Sequence, residues 1–424
     1  MTRYDRAVST DDHRRTAPEI TSGQVKKPGT PKSPQKLAAG ILIHCLIDDD
    51  DDDAVVADLV RLERLGGLTA LAEAAEFHRV SNFLHLRWRD SDGVGRRVAD
   101  MLTIAYEQST FSHLRALAEI EAISRIFDDH GISWLVIKGP VLAEGSYPRF
   151  DLRSYADLDL VISAPSFHRA IEALEDEGYR LLDNNWRLLV SAVKGELHLL
   201  SPLGVVVDAH WNLINDSRTR EKFNVRSATL FENIRRVDMG NVSVPSPSPS
   251  VHLVYLATHA CLAGGERLIW LKDIQQTVMN EDIDWDRVGE LAEEWRVRPL
   301  VELMLDRTRR VIGLPSSADG IAPFAESGYW LQLARLADRL SPPHAVTVEG
   351  SPSRIIARAT RTGPLQSTTE LARRSISWAR ARLGLVRELD EEEAARRGSA
   401  FVPAGDSSDR EAFFVAVTGR GPGQ

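Results

Sequence analysis

Cysteine is nearly absent from this sequence: Cys45 and Cys261 are its two examples in 424 residues. Both lie in apolar stretches, which argues against a disulfide framework or a cysteine zinc site and leaves them as small buried hydrophobes. Long apolar runs are missing too. No segment reaches the ~20 apolar residues that a membrane-spanning helix needs, and the N-terminus, Met1-Thr-Arg-Tyr-Asp-Arg, has no apolar signal core. A cytoplasmic protein without membrane contact is expected. Positive charge is not in excess either. The net charge of -9 argues against strong nonspecific nucleic-acid binding by the chain as a whole, although a local basic channel for an RNA substrate is compatible with it. What is present, 43% hydrophobic and 27% charged residues, is a globular balance with enough chain for two or three cored units.

Residues 1–36 are rich in Pro, Ser, Thr, Lys and Arg (Lys26-Lys-Pro-Gly-Thr-Pro-Lys-Ser-Pro34) and carry almost no apolar periodicity, so they read as disordered. An N-terminal helical region follows over 37–130: Leu37 to Leu46, Ala54 to Leu62, Leu68 to Phe83, and a long helix from Val98 to His130. In the long helix Leu102, Ala105, Phe111, Leu114, Leu117, Ile120, Ile123 and Ile126 form an apolar stripe, and Gly131 is the stop. The six acids Asp48 to Asp53 read as a solvated loop at the N-terminus of the second helix, since contiguous acids point in different directions.

Over 131–243 strands and helices interleave as in a compact α/β unit. Trp134 to Ile137 is a strand, Lys138-Gly-Pro140 a turn into a helix through Glu144, and Asp157 to Ile162 a second strand. Pro165 to Gly178 is an amphipathic helix; Tyr179 to Leu182, Leu197 to Leu200 and Val205 to Leu213 are strand-like, the last two joined as a hairpin by Ser201-Pro-Leu-Gly204. A Pro/Ser linker, Val244 to Ser250, leads to a helical accessory domain over 244–345, with helices from Val251, Arg267, Trp285, Pro299 and Tyr329. The remainder, 346–424, reads as a weakly structured tail with one basic helix from Thr369 to Leu383 and a disordered end after about Val402.

The chemistry concentrates in Arg153-Ser-Tyr-Ala-Asp157-Leu-Asp159-Leu-Val-Ile-Ser163. On a strand, Asp157 and Asp159 share one face while Leu158, Leu160 and Ile162 share the other. Two acids on one face repel unless a cation lies between them, and Mg²⁺ suits such a pair because it binds one or two carboxylates and completes its shell with substrate phosphates. A solvated strand edge also carries Asp-x-Asp, so the pair gains weight from its company. Asp208 stands in a second apolar strand, where Val206, Asp208 and His210 alternate with Val207, Ala209 and Trp211. Three strand-borne carboxylates around two Mg²⁺ ions are a device for in-line displacement at phosphorus. Lys138-Gly139 at a strand-to-helix turn, and Arg153, supply positive groups and backbone N–H for phosphates.

This ordered set resembles the nucleotidyltransferase superfamily of the DNA polymerase β type. More narrowly it is similar to a bacterial family of uncharacterised nucleotidyltransferases, through Lys138-Gly139, Tyr147-Pro148, Arg153, Asp157-Leu-Asp159-Leu-Val161, Gly178-Tyr179, His198 and Asp208-Ala-His210-Trp211, with His259 and Arg267-Leu-Ile-Trp270-Leu-Lys-Asp273 in the helical half. The resemblance covers roughly residues 50–310. It implies an α+β fold: a nucleotidyltransferase-type mixed sheet with flanking helices, N-terminal helices and a C-terminal helical domain. It implies that Asp157 and Asp159 hold Mg²⁺, two ions, that Asp208 completes the site or serves as base, and that Lys138, Gly139 and Arg153 hold the triphosphate of an NTP. Pro140 replaces the superfamily's serine, so Lys138 or Ser154 compensates; Asp208 stands where the narrower family often has glutamate. His198 and His210 are contacts to phosphate or acceptor, or core histidines with one hydrogen bond each. For His259, Arg267 and Asp273, helix packing or surface pairing is an equal explanation. The expected activity is transfer of an NMP to an acceptor with pyrophosphate release. Phosphate-group transfer or hydrolysis is the second enzymatic reading, and a non-catalytic nucleotide-sensing or interaction protein with a degenerate site is the alternative. A small molecule, a peptide, a protein and a tRNA all stay open as acceptor.

Overall fold

The computed structural model describes residues 34–47, 52–315, 328–345, 351–382 and 399–419; the stretch over 1–33 and the acids 48–51 lie outside these. Four short helices, α1 (Pro34–Leu46), α2 (Asp52–Arg64), α3 (Leu68–Phe77) and α4 (Ser81–Trp88), precede the long α5 (Gly93–Asp129). The single helix expected from Leu68 to Phe83 is two. Arg79 takes a positive φ of 56° between them, a strained choice for a residue with a Cβ. Long-range bonds hold that break: the Arg79 carbonyl accepts from Ser154 Oγ, and the His78 carbonyl accepts from the Ile269 N–H. The stripe on α5 also departs from expectation in its middle, where Phe111 is 65% and Leu114 52% exposed. Here the buried face is polar, with His113 between Tyr155 Oη at 2.8 Å and Glu144 Oε1 at 2.9 Å. Gly131, at φ 59°, ends the helix turn as expected.

A five-stranded mixed sheet follows, in the order β1-β2-β5-β4-β3. Its strands are β1 (Trp134–Ile137), β2 (Asp157–Ile162), β3 (Arg180–Leu181), β4 (Glu196–Leu200) and β5 (Val206–His210), with α6 (Gly139–Gly145), α7 (Phe167–Asp176) and α8 (Trp186–Ala192) between them. The β2/β5 pair is parallel and the other pairs are antiparallel. Leu158, Leu160, Ile162, Leu197, Leu199, Val207 and Ala209 fill one face and pack with Ile120, Ile123 and Phe127 of α5 and Phe167, Ile171 and Leu174 of α7. Each of the larger side chains here contributes about 1.5–3 kcal/mol by leaving water.

The Pro/Ser stretch 244–250 is not a linker. Val242–Pro247 forms β7, paired antiparallel with β6 (Ile234–Met239), and Val244 is fully buried. A two-stranded ribbon has free edges, where prolines cost no ladder bond. The short α9 (Ser217–Arg220) and α10 (Ala228–Glu232) come before that ribbon. Beyond it stand α11 (Pro249–Ala263), α12 (Leu268–Asn280), α13 (Trp285–Glu294), α14 (Arg298–Ile312) and α15 (Gly328–Leu340), close to the predicted spans.

The tail expected to be weakly structured carries α16 (Pro352–Ala359), α17 (Pro364–Arg382) and a C-terminal helix, Ser407–Thr418. That last helix begins with a capping box between Asp406 and Asp409 and buries Phe413 and Phe414 against the sheet's apolar layer. No helix of the described residues is long and apolar enough to cross a membrane.

Candidate active site

Strand register gathers the polar residues. Asp159 on β2 lies opposite Asp208 on β5, while Asp208 and His210 lie opposite His198 and Glu196 on β4. By the twofold alternation of strands, Asp157, Asp159, Asp208, His210, Glu196 and His198 therefore share the face away from the apolar layer. The Ser201–Gly204 link sets that register as an antiparallel hairpin, so both histidines fall beside the acids as the sequence suggests.

On this face Asp159 is buried and takes two partners on one oxygen: the Lys138 ammonium at 2.6 Å and His210 Nε2 at 3.2 Å from Oδ1. Burial alone would push Asp159 upward, but Lys138 and then His210 outweigh it and hold its carboxyl well below the usual range. Burial likewise opposes the charge on Lys138, and Asp159 more than reverses this. Asp208 has the opposite balance. Burial, then the charge of Asp159, pushes it up to about 7. Its buried Oδ1 finds no hydrogen-bond partner among the described residues, since His198 Nε2 stands 3.7 Å away.

The remaining members brace these. His210 Nδ1 is 3.1 Å from Glu196 Oε2. His198 lies 2.9 Å from Asp183 through Nδ1; despite burial, this bond and the nearby Asp208 raise it to about 9. Lys138 itself has a left-handed backbone, φ 53° and ψ -147°, at the exit of β1. Its N–H donates to His252 Nε2 at 3.4 Å, and burial together with Arg235 holds His252 far below its ordinary value, neutral and able to accept. Gly139 follows at φ 40°. Pro140 takes the second position of α6, where a missing N–H breaks no helical bond.

A cavity of about 440 Å³ opens over this face, lined by Lys138, Asp157, Asp159, Glu196, Asp208 and His210 on the sheet side. Its other wall comes from α11 and α12, with Leu256, His259, Ile269 and Trp270. His252, Tyr255 and His259 recur at helical spacing on α11, which turns one stripe of that helix toward Lys138; Lys138 Nζ is 5.8 Å from the Tyr255 ring centre.

The other expected residues line the same cavity with contacts of their own. Asp157 lines the cavity, and the ligand atoms that converge are those of Asp159, Asp208 and His210. Arg153 lines it too, yet its guanidinium is buried in a bidentate pair with Asp273, at 2.8 and 2.9 Å, and donates to the Gly139 carbonyl. Asp273 is thus an internal partner and not a surface one. Ser154 Oγ is turned to the Arg79 carbonyl, and Arg267 stacks near Phe77 and Trp270. His259 is half-buried on the cavity wall. Glu196 was not anticipated, although its alternation with His198 on a hairpin strand was the signal that would have found it.

Asp159, Asp208 and His210 offer ligand atoms that lie within 4.8 Å of one another. Two carboxylates and an imidazole suit a divalent cation, and the unpartnered Asp208 oxygen is a lone pair in need of one. The residues present fit the group. The Lys138 ammonium supplies further counter-charge to Asp159.

A family model described as an uncharacterised nucleotidyltransferase matches residues 67–313, more than half of the chain. The chain belongs to this family. Among curated proteins none matches it. The nucleotidyltransferase match runs from the start of α3 to the end of α14, and so takes in the Lys138 turn, both acid strands and the α11–α12 wall. Membership points to a transferase that takes an NTP, on a mixed sheet flanked by helices.

Proposed function

We propose that the protein moves an NMP from an NTP to an acceptor hydroxyl and releases pyrophosphate. The observation that carries this reading is the convergence of Asp159, Asp208 and His210 opposite Lys138 in one cavity. Lys138 contributes positive charge to the phosphates, with backbone from the Gly139 turn, while Arg153 positions that turn through the Gly139 carbonyl. The apolar surface of Leu256, Ile269 and Trp270 receives the nucleoside. A divalent cation, when bound by Asp159, Asp208 and His210, would supply Lewis-acid polarisation of the phosphoryl oxygens.

In the transfer, the acceptor oxygen forms a bond to the α-phosphorus while the bond from that phosphorus to the pyrophosphate oxygen breaks. Asp208 takes the hydroxyl proton, and His198, charged beside it, steadies the carboxylate. Most of the rate gain is positioning and preset electrostatics. A non-catalytic nucleotide-sensing reading draws on one observation: Lys138 already neutralises Asp159 at 2.6 Å. Incubation of the full chain with α-labelled NTPs, Mg²⁺ and a cell extract separates the two. The transfer reading expects label on an acceptor and equimolar pyrophosphate, both abolished by Asp159→Ala; nucleotide binding without pyrophosphate in the wild type would refute it.

A further inference from the structure

Beside the acid cavity lies a second one of about 990 Å³, and the two share Asp216, Thr219, Arg358 and Arg374. Arg218, Lys222, Arg296, Arg361 and Arg373 also line it, which with Arg358 and Arg374 makes seven cations against the three carboxylates Asp216, Glu221 and Glu370 among the described lining residues. In a chain of net charge -9 this is a local excess of the opposite sign. Glu370 alone meets three guanidinium groups, those of Arg361 at 3.1 Å, Arg373 at 2.6 Å and Arg374 at 2.6 Å. One carboxylate neutralises one of them. Arg361 is buried and fixed by the carbonyls of Arg358 and Thr360, so it cannot escape to solvent. Burial pulls both Arg361 and Arg374 below their ordinary values, and the neighbouring arginines add to this.

A preset cluster of planar donors with surplus charge matches a phosphate, whose oxygens accept paired N–H bonds. Single-stranded nucleic acid fits less well, because its binding grooves interleave cations with aromatic stacking platforms, and none of the described lining residues here is aromatic.

We propose that the arginine cavity holds a phosphate group of the acceptor, so that the molecule receiving the NMP is itself phosphorylated. The inference rests on the transfer reading. The phosphate is a handle that places the attacking oxygen in the adjoining acid cavity; the bonds made and broken are those already described.

The test titrates the full chain with glycerol 3-phosphate in EDTA, followed by ³¹P NMR, with glycerol as control. Saturable binding is expected in the wild type and in Asp159→Asn/Asp208→Asn. It should weaken roughly tenfold in Arg373→Ala and in Arg218→Ala, each removing a charge-assisted bond; both side chains are exposed, so folding is not at risk. No saturable binding, equal affinity in the arginine variants, loss in the double aspartate variant, or displacement by a lower concentration of a single-stranded oligoribonucleotide would each overturn the proposal. Phosphate binding without pyrophosphate release from NTP would leave the anion cavity standing and remove the transfer reading, whereas release without phosphate binding would do the reverse.

Discussion

Two buried aspartate–cation pairs, Lys138–Asp159 and Arg153–Asp273, meet at the same Lys138–Gly139 turn and are built differently. Asp273 is saturated: Arg153 reaches both its oxygens, Tyr147 Oη donates to it at 2.7 Å, and the remaining Arg153 nitrogen is taken by the Gly139 carbonyl. Asp159 meets one flexible ammonium and one imidazole on a single oxygen, next to an Asp208 oxygen with no hydrogen bond among the described residues, on a cavity wall. A closed pair of this kind fixes two elements together, here the Gly139 turn and α12. An open pair leaves room for the cation to be exchanged for another, and under the proposed transfer this difference separates the residue that positions from the residues that act.

The comparison breaks most visibly through activity. Asp159→Ala is expected to lower pyrophosphate release by roughly 10³-fold while shifting the urea midpoint little, since Lys138 can swing into the cavity. Asp273→Ala should behave in reverse. It leaves the Arg153 guanidinium buried and unpaired, a loss of about 3–5 kcal/mol in chemical denaturation, and activity lost in it should fall with the folded fraction. If Asp273→Ala proved as stable as the wild type, the distinction between the pairs would fail.

Local patterns in the sequence made the acids legible and their partners illegible. Asp157, Asp159 and Asp208 announce themselves by alternation within apolar strands, and the helices from Val251 to Leu340 by their periodicity. The Arg153–Asp273 pair spans 120 positions, and no short-range pattern encodes it. The same holds for the break at Arg79, which the contact with Ser154 maintains, and for β7, whose prolines look like a linker until β6 is beside them. Phe413 and Phe414 sit in a short helix of near-neutral hydropathy at the end of the chain, and their partners lie in α7 and α8. Phe414→Ala should cost about 3–5 kcal/mol as a large-to-small change in a filled core, measured by the same denaturation. A change below about 1 kcal/mol would mean that the C-terminal helix is not part of the sheet's apolar layer.

Titration sharpens the comparison at smaller scale. His198 is raised from 6.5 to about 9, so its stabilising contribution is complete below pH about 6.5 and is lost as pH climbs through about 9, a change of roughly 2–3 kcal/mol. Asp208, raised from 3.8 to about 7, also favours the folded state less as pH rises, in the lower window between those values. The groups facing His198 are Asp183, Asp208 and Glu196. Urea unfolding of the metal-free chain at about pH 6 and pH 9 should show this loss in the wild type and a smaller one in Asp183→Asn.

The central claim is that Asp159, Asp208 and His210 form one cation site. Mn²⁺ titration of the full chain followed by EPR tests it directly, with Mn²⁺ standing in for the physiological ion. Saturable binding is expected, weakened by at least about tenfold in Asp208→Asn and persisting in Asp273→Asn. Binding unchanged in Asp208→Asn, or none in the wild type, would contradict it.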